Sequence, residues 1–213
     1  MTHPIDPLLV LVMLLNFLVL GTSGLRSCIR ATAAQGVLLS LLPLFGHEAL
    51  AWRAVALAAG AVVIKGVFIP AMLLRAIRDV EIRQEVDPYI GFISSLFLCG
   101  LGTGLAILFA RSLPLAPEHA GSLLVPAALA TLVAGFLVLT TRRKAISQVV
   151  GYLMLENGIF IFGILLLEAM PFMVEVGVLL DLFAGIFVMG ILINHIRQEF
   201  SSLDTERLSD LRE

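Results

Sequence analysis

Seven stretches of the chain are apolar over lengths close to what a lipid bilayer demands: residues 8–25, 31–45, 51–74, 89–110, 123–140, 145–167 and 174–195. An α-helix rises about 1.5 Å per residue, so about 20 apolar residues cross a hydrocarbon core about 30 Å thick. The second stretch is the shortest of the seven. Backbone N–H and C=O groups find no water inside lipid, and a helix satisfies them within itself, which excludes isolated strands. The expected fold is therefore an all-α, polytopic membrane protein of about seven transmembrane helices. A hydrophobic fraction of 59%, a charged fraction of 14% and a mean hydropathy of +1.02 agree with that reading and lie outside the range of a soluble domain of 213 residues.

Threading the seven segments alternately through a membrane sorts the 14 Lys and Arg residues. Arg26, Arg30, Arg75, Arg78, Arg83, Arg142, Arg143, Lys144, Arg197, Arg207 and Arg212 fall on one side. Arg53 and Arg111 fall on the other, and Lys65 stays within a span. The excess of basic residues marks the cytoplasmic side, so the N-terminus is expected outside and the C-terminus inside. An even number of spans would scramble the segregation. The N-terminus carries no basic n-region, so residues 8–25 read as a retained span rather than a cleaved signal peptide. Cys28, near a helix end, and Cys99, in mid-span, are poorly placed for a disulfide.

Two breaks divide the helices. Residues 75–88, RAIRDVEIRQEVDP, carry charges of both signs and read as a cytoplasmic connection that forms a solvated or partner-facing helix with no net electrostatic pull. Residues 111–122 contain Pro114, Pro117 and Gly121 and read as an outer loop. The organisation expected is a four-helix part over 1–110, a three-helix part over 123–196 and a cytoplasmic tail over 197–213. Pro70 lies within the third span, where its missing N–H is expected to kink the helix near Lys65. Pro126 sits in a first turn and is expected to be harmless.

The chemistry-bearing candidates are the ionisable groups within spans, because each costs about 2.5–3.5 kcal/mol at a helix centre. Glu156 lies 12 residues from Lys144 and Asp181 lies 14 residues from His195, which puts both at a depth of ~20 Å on neighbouring helices. Lys65, 10 residues from Arg75, lies ~15 Å deep. Two acids and a lysine in a dry setting suit a proton relay; the alternative is a static charge-paired network that holds helices together. Gly177, Asp181 and Gly185 share a helix face at four-residue spacing, which directs Asp181 toward protein. Glu156 likewise shares a face with Tyr152, Phe160 and Gly163.

Secondary candidates are His195, at an inner helix end suited to proton entry or to a helix C-terminus, and Glu168 and Glu175, which flank the turn at Pro171 on the outer side. Asn157 and Gln148 read as interhelical hydrogen-bonders. Gly100, Gly102 and Gly104 lie in a span with no preceding strand, so they read as close helix packing rather than a nucleotide loop. His47 and Glu48 are expected in solvent. No metal-ligand set is apparent, and with a formal net charge of −2 the expected partner surface is the lipid bilayer, with no nucleic acid.

Residues 142–163, RRKAISQVVGYLMLENGIFIFG, followed by EAMPFMVEVGVLLDLFAGIFVMGILINHI from Glu168, resemble hydrogenase-4 component E, and KGVFIPAML from Lys65 extends the resemblance toward the N-terminus. That family is similar in turn to the three-helix K subunit of complex I and the C subunit of Mrp-type cation/proton antiporters. In the K-subunit pattern a last-helix glutamate precedes a glycine by four residues, as Asp181 precedes Gly185 here. The preceding helix departs from the pattern: Leu153 stands where an acid is expected, and Glu156 lies about one turn later. The ending SLDTERLSDLRE from Ser202 is also similar to that of the K subunit.

The resemblance implies a subunit in the membrane arm of a group 4 [NiFe] hydrogenase or formate hydrogenlyase-like complex of a prokaryotic cytoplasmic membrane. Proton translocation would then be coupled to electron transfer, with antiporter-like membrane subunits and peripheral hydrogenase subunits as partners. The chain has two cysteines and no cluster for iron–sulfur or nickel ligation, so the [NiFe] centre and iron–sulfur clusters are expected in those partners. The alternatives are a structural or assembly subunit of such a complex, a K-type subunit of a complex I- or Mrp-like assembly, and an autonomous seven-helix transporter or sensor.

Overall fold

A computed structural model describes residues 5–45, 52–79, 88–113, 121–166 and 190. Within them the fold is helical: α1 (Asp6–Gly21), α2 (Leu25–Leu41), α3 (Trp52–Val63), α4 (Ile69–Asp79), α5 (Phe92–Ser112), α6 (Leu124–Thr141) and α7 (Ala145–Leu166). A short 3₁₀ turn, Leu42–Phe45, follows α2, and a π-turn, Ile64–Phe68, joins α3 to α4 in one continuous rod. Among the described residues four stretches are long and apolar enough to cross a membrane: Ala58–Arg78, Phe92–Ser112, Leu124–Thr141 and Ala145–Leu165. The seventh expected span, 174–195, lies outside the described residues apart from Gly190.

The boundaries of the first three segments differ from those expected from hydropathy. α1 ends at Gly21 and α2 starts at Leu25, so Arg26 and Arg30 belong to a helix rather than to a loop at 26–30. Helical periodicity explains it: Leu25, Cys28 and Ile29 are buried while Arg26 and Arg30 point outward from the same two turns. The third helix continues past residue 74 to Asp79 for the same reason, burying Leu73, Ala76 and Ile77 and exposing Arg75 and Arg78. Pro70 does disturb its helix, and the disturbance is the π-turn, in which Ile69 donates its N–H to the carbonyl of Ile64, five residues back. Pro126 falls in the first turn of α6, where its missing N–H has no intrahelical partner to lose.

α6 and α2 are the two hubs. α6 packs on α7, α5 and α1, while α2 packs on α1, α7, the π-turn, α3 and α4. Much of α6 is buried (61% of its span) but little of α5 (17%), so α5 is a flank whose Ile93, Phe97, Leu101, Leu105 and Leu108 face outward. Such an apolar surface is stable in lipid, where no hydrophobic penalty attaches to it.

The α6–α7 contact is set by small residues. A Cβ added at Gly151 would lie 2.6 Å from the Leu139 nitrogen, and one at Gly135 would lie 2.7 Å from the Leu155 nitrogen. Both obstacles are backbone and cannot step aside, so the two helices approach as closely as only glycine allows. Of the glycines expected to mediate packing, Gly102 does so closely, its added Cβ meeting Val133 Cγ1 at 2.7 Å; one at Gly100 would make ordinary contact with Phe17 Cε1 at 3.9 Å, and nothing lies within 4 Å of Gly104.

The helix ends define two poles. Arg142, 3% exposed, donates from Nη2 to the Leu20 carbonyl at 2.9 Å and from Nη1 to the Ile90 carbonyl at 3.2 Å, and its guanidinium lies 4.4 Å from the Phe92 ring centroid. It thereby ties the end of α1, the approach to α5 and the α6–α7 link together, placing a cation on orphan carbonyls at a helix C-terminus. Tyr89 N–H adds a bond to the Thr141 carbonyl at 2.8 Å. Arg26, Arg30, Arg75, Arg78, Arg143 and Lys144 gather at the same pole, since the α1–α2 link, the end of α4 and the α6–α7 link share one buried cluster. At the other pole Asp6 accepts from the Leu123 N–H at 3.2 Å. Cys28 and Cys99 form no disulfide and are buried in the arginine-rich half.

Two outcomes test this packing. Gly151→Ala is expected to lower stability in detergent by about 1–3 kcal/mol, the usual range for overpacking, while Gly104→Ala leaves it unchanged; equal thermal midpoints for the two variants would contradict the α6–α7 geometry. Arg142→Met is expected to destabilise by about 3 kcal/mol through loss of charged hydrogen bonds, read as a fall in the same midpoint.

Candidate functional site

The middle of the bundle holds a line of buried polar side chains drawn from five segments. Asn16 on α1 donates from Nδ2 to Thr131 Oγ1 on α6 at 3.0 Å. Gln35 on α2 donates from Nε2 to Asn16 Oδ1 at 2.8 Å and to the Val12 carbonyl at 3.2 Å. Asn157 on α7 donates from Nδ2 to Gln35 Oε1 at 3.2 Å. Beside Asn157, Glu156 meets Lys65 from the π-turn, with Nζ 2.6 Å from Oε1. All of these residues except Lys65 are buried, and Lys65 is nearly so, its side chain 12% exposed.

Local structure explains how Lys65 gets there. The π-turn adds a residue to the helical repeat just where Lys65 stands, re-aiming the side chains that follow α3. The rod then comes very near α2: a Cβ on Gly66 would lie 2.6 Å from Val37 Cγ2, and one on Gly36 would lie 3.1 Å from Lys65 Cβ. Two glycines facing each other's helices thus open the corridor through which the lysine stem reaches α7. The ammonium also lies 5.5 Å from the Phe160 ring centroid, one turn beyond Glu156, within cation–π range.

The pair is anchored from one side only. Glu156 Oε1 is engaged by Lys65, whereas Glu156 Oε2 and the nearby Thr32 Oγ1 are buried with no hydrogen-bond partner. A cavity of about 20 Å³ lies between the rod, α2 and α7, and Thr32, Gly36, Lys65, Pro70, Glu156 and Asn157 are among the residues that line it. A buried ion pair is costly unless its remaining lone pairs are satisfied, so this one is retained at an energetic disadvantage against an apolar pair of equal volume.

Of the residues singled out by sequence, Glu156 and Lys65 are brought into direct contact, and the shared face of Glu156 with Phe160 is seen in the position of the Lys65 ammonium. Asn157 is the interhelical hydrogen-bonder expected of it, while Gln148 donates to the Arg142 carbonyl in the α6–α7 link just before its own helix. Asp181, His195, Glu168, Glu175, Gly177 and Gly185 lie outside the described residues, as do His47 and Glu48. Hydropathy did not single out Asn16, Thr32, Gln35 or Thr131. The signal for Asn16 and Gln35 was present, since each is a strongly polar residue within an otherwise apolar span, a position where interhelical hydrogen bonds are the usual use. Among the described residues no three His, Cys, Asp or Glu side chains come together as a metal-ligand group.

Comparison with known proteins places the chain in a family. The chain is 32% identical over 205 residues to the uncharacterized protein Rv0085 of Mycobacterium tuberculosis, covering 94% of this chain and 92% of that protein. It is 26% identical over 210 residues to hydrogenase-4 component E of Escherichia coli K12, covering 95% and 94% of the two chains, and the Shigella flexneri protein of that name matches to the same extent. The chain belongs to one family with the mycobacterial protein and is a homologue of hydrogenase-4 component E. Both similarities run nearly end to end, well beyond the residues from 142 onward. No protein-family model and no solved structure matches the chain.

The ion pair makes a quantitative expectation for this family member. Lys65→Met leaves a buried, unpaired carboxylate and is expected to destabilise the protein by about 3–5 kcal/mol, whereas Lys65→Met combined with Glu156→Gln is expected to recover most of that loss. A double-mutant cycle on thermal unfolding in detergent measures the coupling, and additive effects would mean the two groups do not interact.

Proposed function

We propose that the chain is a membrane-arm subunit of a [NiFe] hydrogenase or formate hydrogenlyase-like complex, in which Glu156, paired with Lys65, takes part in proton translocation coupled to electron transfer. The observation that carries this reading is the buried Lys65–Glu156 ion pair, 2.6 Å long and set on a rod interrupted by a π-turn. An ionisable pair at membrane depth marks a functional site, and a proton relay is among its recurring uses. The end-to-end similarity to hydrogenase-4 component E supplies the complex. Redox centres belong to partner subunits on this reading, and Asp181 is the second acid of the relay, with His195, Glu168 and Glu175 as stations nearer the surfaces.

The gathering of arginines at one pole supports an orientation with that pole in the cytoplasm. With seven spans the N-terminus is then outside and the C-terminus inside. A purely structural role is the second reading, and the line Thr131–Asn16–Gln35–Asn157 favours it, since such bonds hold helices together whatever Glu156 does.

Glu156→Gln separates the two. In the assembled complex, reconstituted in liposomes, the variant is expected to retain assembly and hydrogen turnover with a soluble electron acceptor while hydrogen-linked proton movement, followed by a pH-sensitive dye, falls to the level of protein-free liposomes. Undiminished proton movement in the assembled variant would establish the structural role.

A further inference from the structure

We propose that the cavity beside Glu156 is a binding site for one water molecule, held between the Thr32 hydroxyl and Glu156 Oε2. Two atoms point to it. Thr32 Oγ1 and Glu156 Oε2 are both buried, both lack a hydrogen-bond partner, and both belong to residues that line the same cavity. Buried polar atoms in folded proteins are nearly always paired, so two orphans around one void call for a ligand that satisfies both.

The size and charge of the site select the ligand. A cavity of about 20 Å³ admits a single water, for which about 10–15 Å³ suffices. A cavity lined by apolar groups alone stays dry, but here Thr32, Lys65, Glu156 and Asn157 stand among Ile29, Ile69 and Leu73. A cation is disfavoured because the Lys65 ammonium already holds the other oxygen of the same carboxylate at 2.6 Å, and an anion is disfavoured by the carboxylate itself. The site therefore takes a small neutral molecule able to donate to Oε2 and to exchange a hydrogen bond with a hydroxyl, which is water.

Its position gives the site a direction. Ile29 and Leu73, which wall the cavity, belong to the buried cluster of the arginine-rich half, so Thr32 approaches Glu156 from that side of the bundle. Resting on the proton-transfer reading above, the water is the nearest exchange partner of Glu156. A proton arriving on it as hydronium passes to Oε2 and leaves neutral water and a protonated carboxyl, so atoms and charge balance without a further reactant. Thr32 is then a positioning residue, acting through the water it holds.

The experiment is infrared difference spectroscopy on the full chain in lipid nanodiscs, comparing ordinary with ¹⁸O-labelled water, together with a structure that shows ordered water. Wild type and Thr32→Ser are expected to show an isotope-sensitive O–H stretch of a buried water and density between residues 32 and 156. In Thr32→Val, nearly isosteric, the band is expected to vanish. Absence of both band and density in the wild type overturns the proposal, as does a band that survives unchanged in Thr32→Val. Should Thr32→Val fail to fold, the wild-type density decides. The outcome is independent of proton translocation: a water present while Glu156→Gln leaves translocation intact upholds the site and removes the relay, and a missing water with a defective Glu156→Gln does the reverse.

Discussion

A lysine ammonium against a glutamate carboxylate, between helices apolar enough to live in lipid, is the interaction around which the centre of this protein is arranged. Neither charge is tolerable there alone. Bringing them together requires the rod carrying Lys65 to lie almost against α2, which Gly36 and Gly66 permit, and requires α7 to present Glu156 at the same depth. The π-turn before Pro70 sets where the side chain emerges. Backbone irregularity, small residues and charge thus serve a single contact.

Around that contact the bundle solves the problem common to all membrane proteins, that polar groups in a dry interior must find one another. Asn16, Gln35, Asn157 and Thr131 do so across α1, α2, α7 and α6, and the Arg142 guanidinium does so at the pole by taking up carbonyls of Leu20 and Ile90. The cross-bundle line rigidifies the helices that frame Glu156. The rod holding Lys65 is joined to α2 chiefly by close packing, and its described contacts with that helix include no hydrogen bond of the kind that ties α1, α2 and α7. A rigid acid facing a base on a separately packed rod is an arrangement compatible with making and breaking the pair.

The membership of a family with an end-to-end homologue named hydrogenase-4 component E fits this division of labour. The broad apolar flank of α5, with Ile93, Phe97, Leu101, Leu105 and Leu108 exposed, suits contact with lipid or with other membrane helices.

Much of this was written in the one-dimensional pattern. Long apolar runs dictated helices because lipid offers backbone groups no other partner, and the clustering of arginines foretold that their helix ends would share a pole. Glu156 and Lys65 stood out because ionised groups are scarce at membrane depth. What hydropathy could not resolve was where helices begin and end when charges ride on an exposed face, as at Arg26 and Arg75, since periodicity and not average polarity decides there. Nor could it tell that Lys65 reaches Glu156, that Gly102 packs while Gly104 does not, or that Thr32 and Glu156 border one cavity. Those are relations between residues far apart in the chain, and they exist only once the rod, α2 and α7 are packed at distances set by glycines on each other's surfaces.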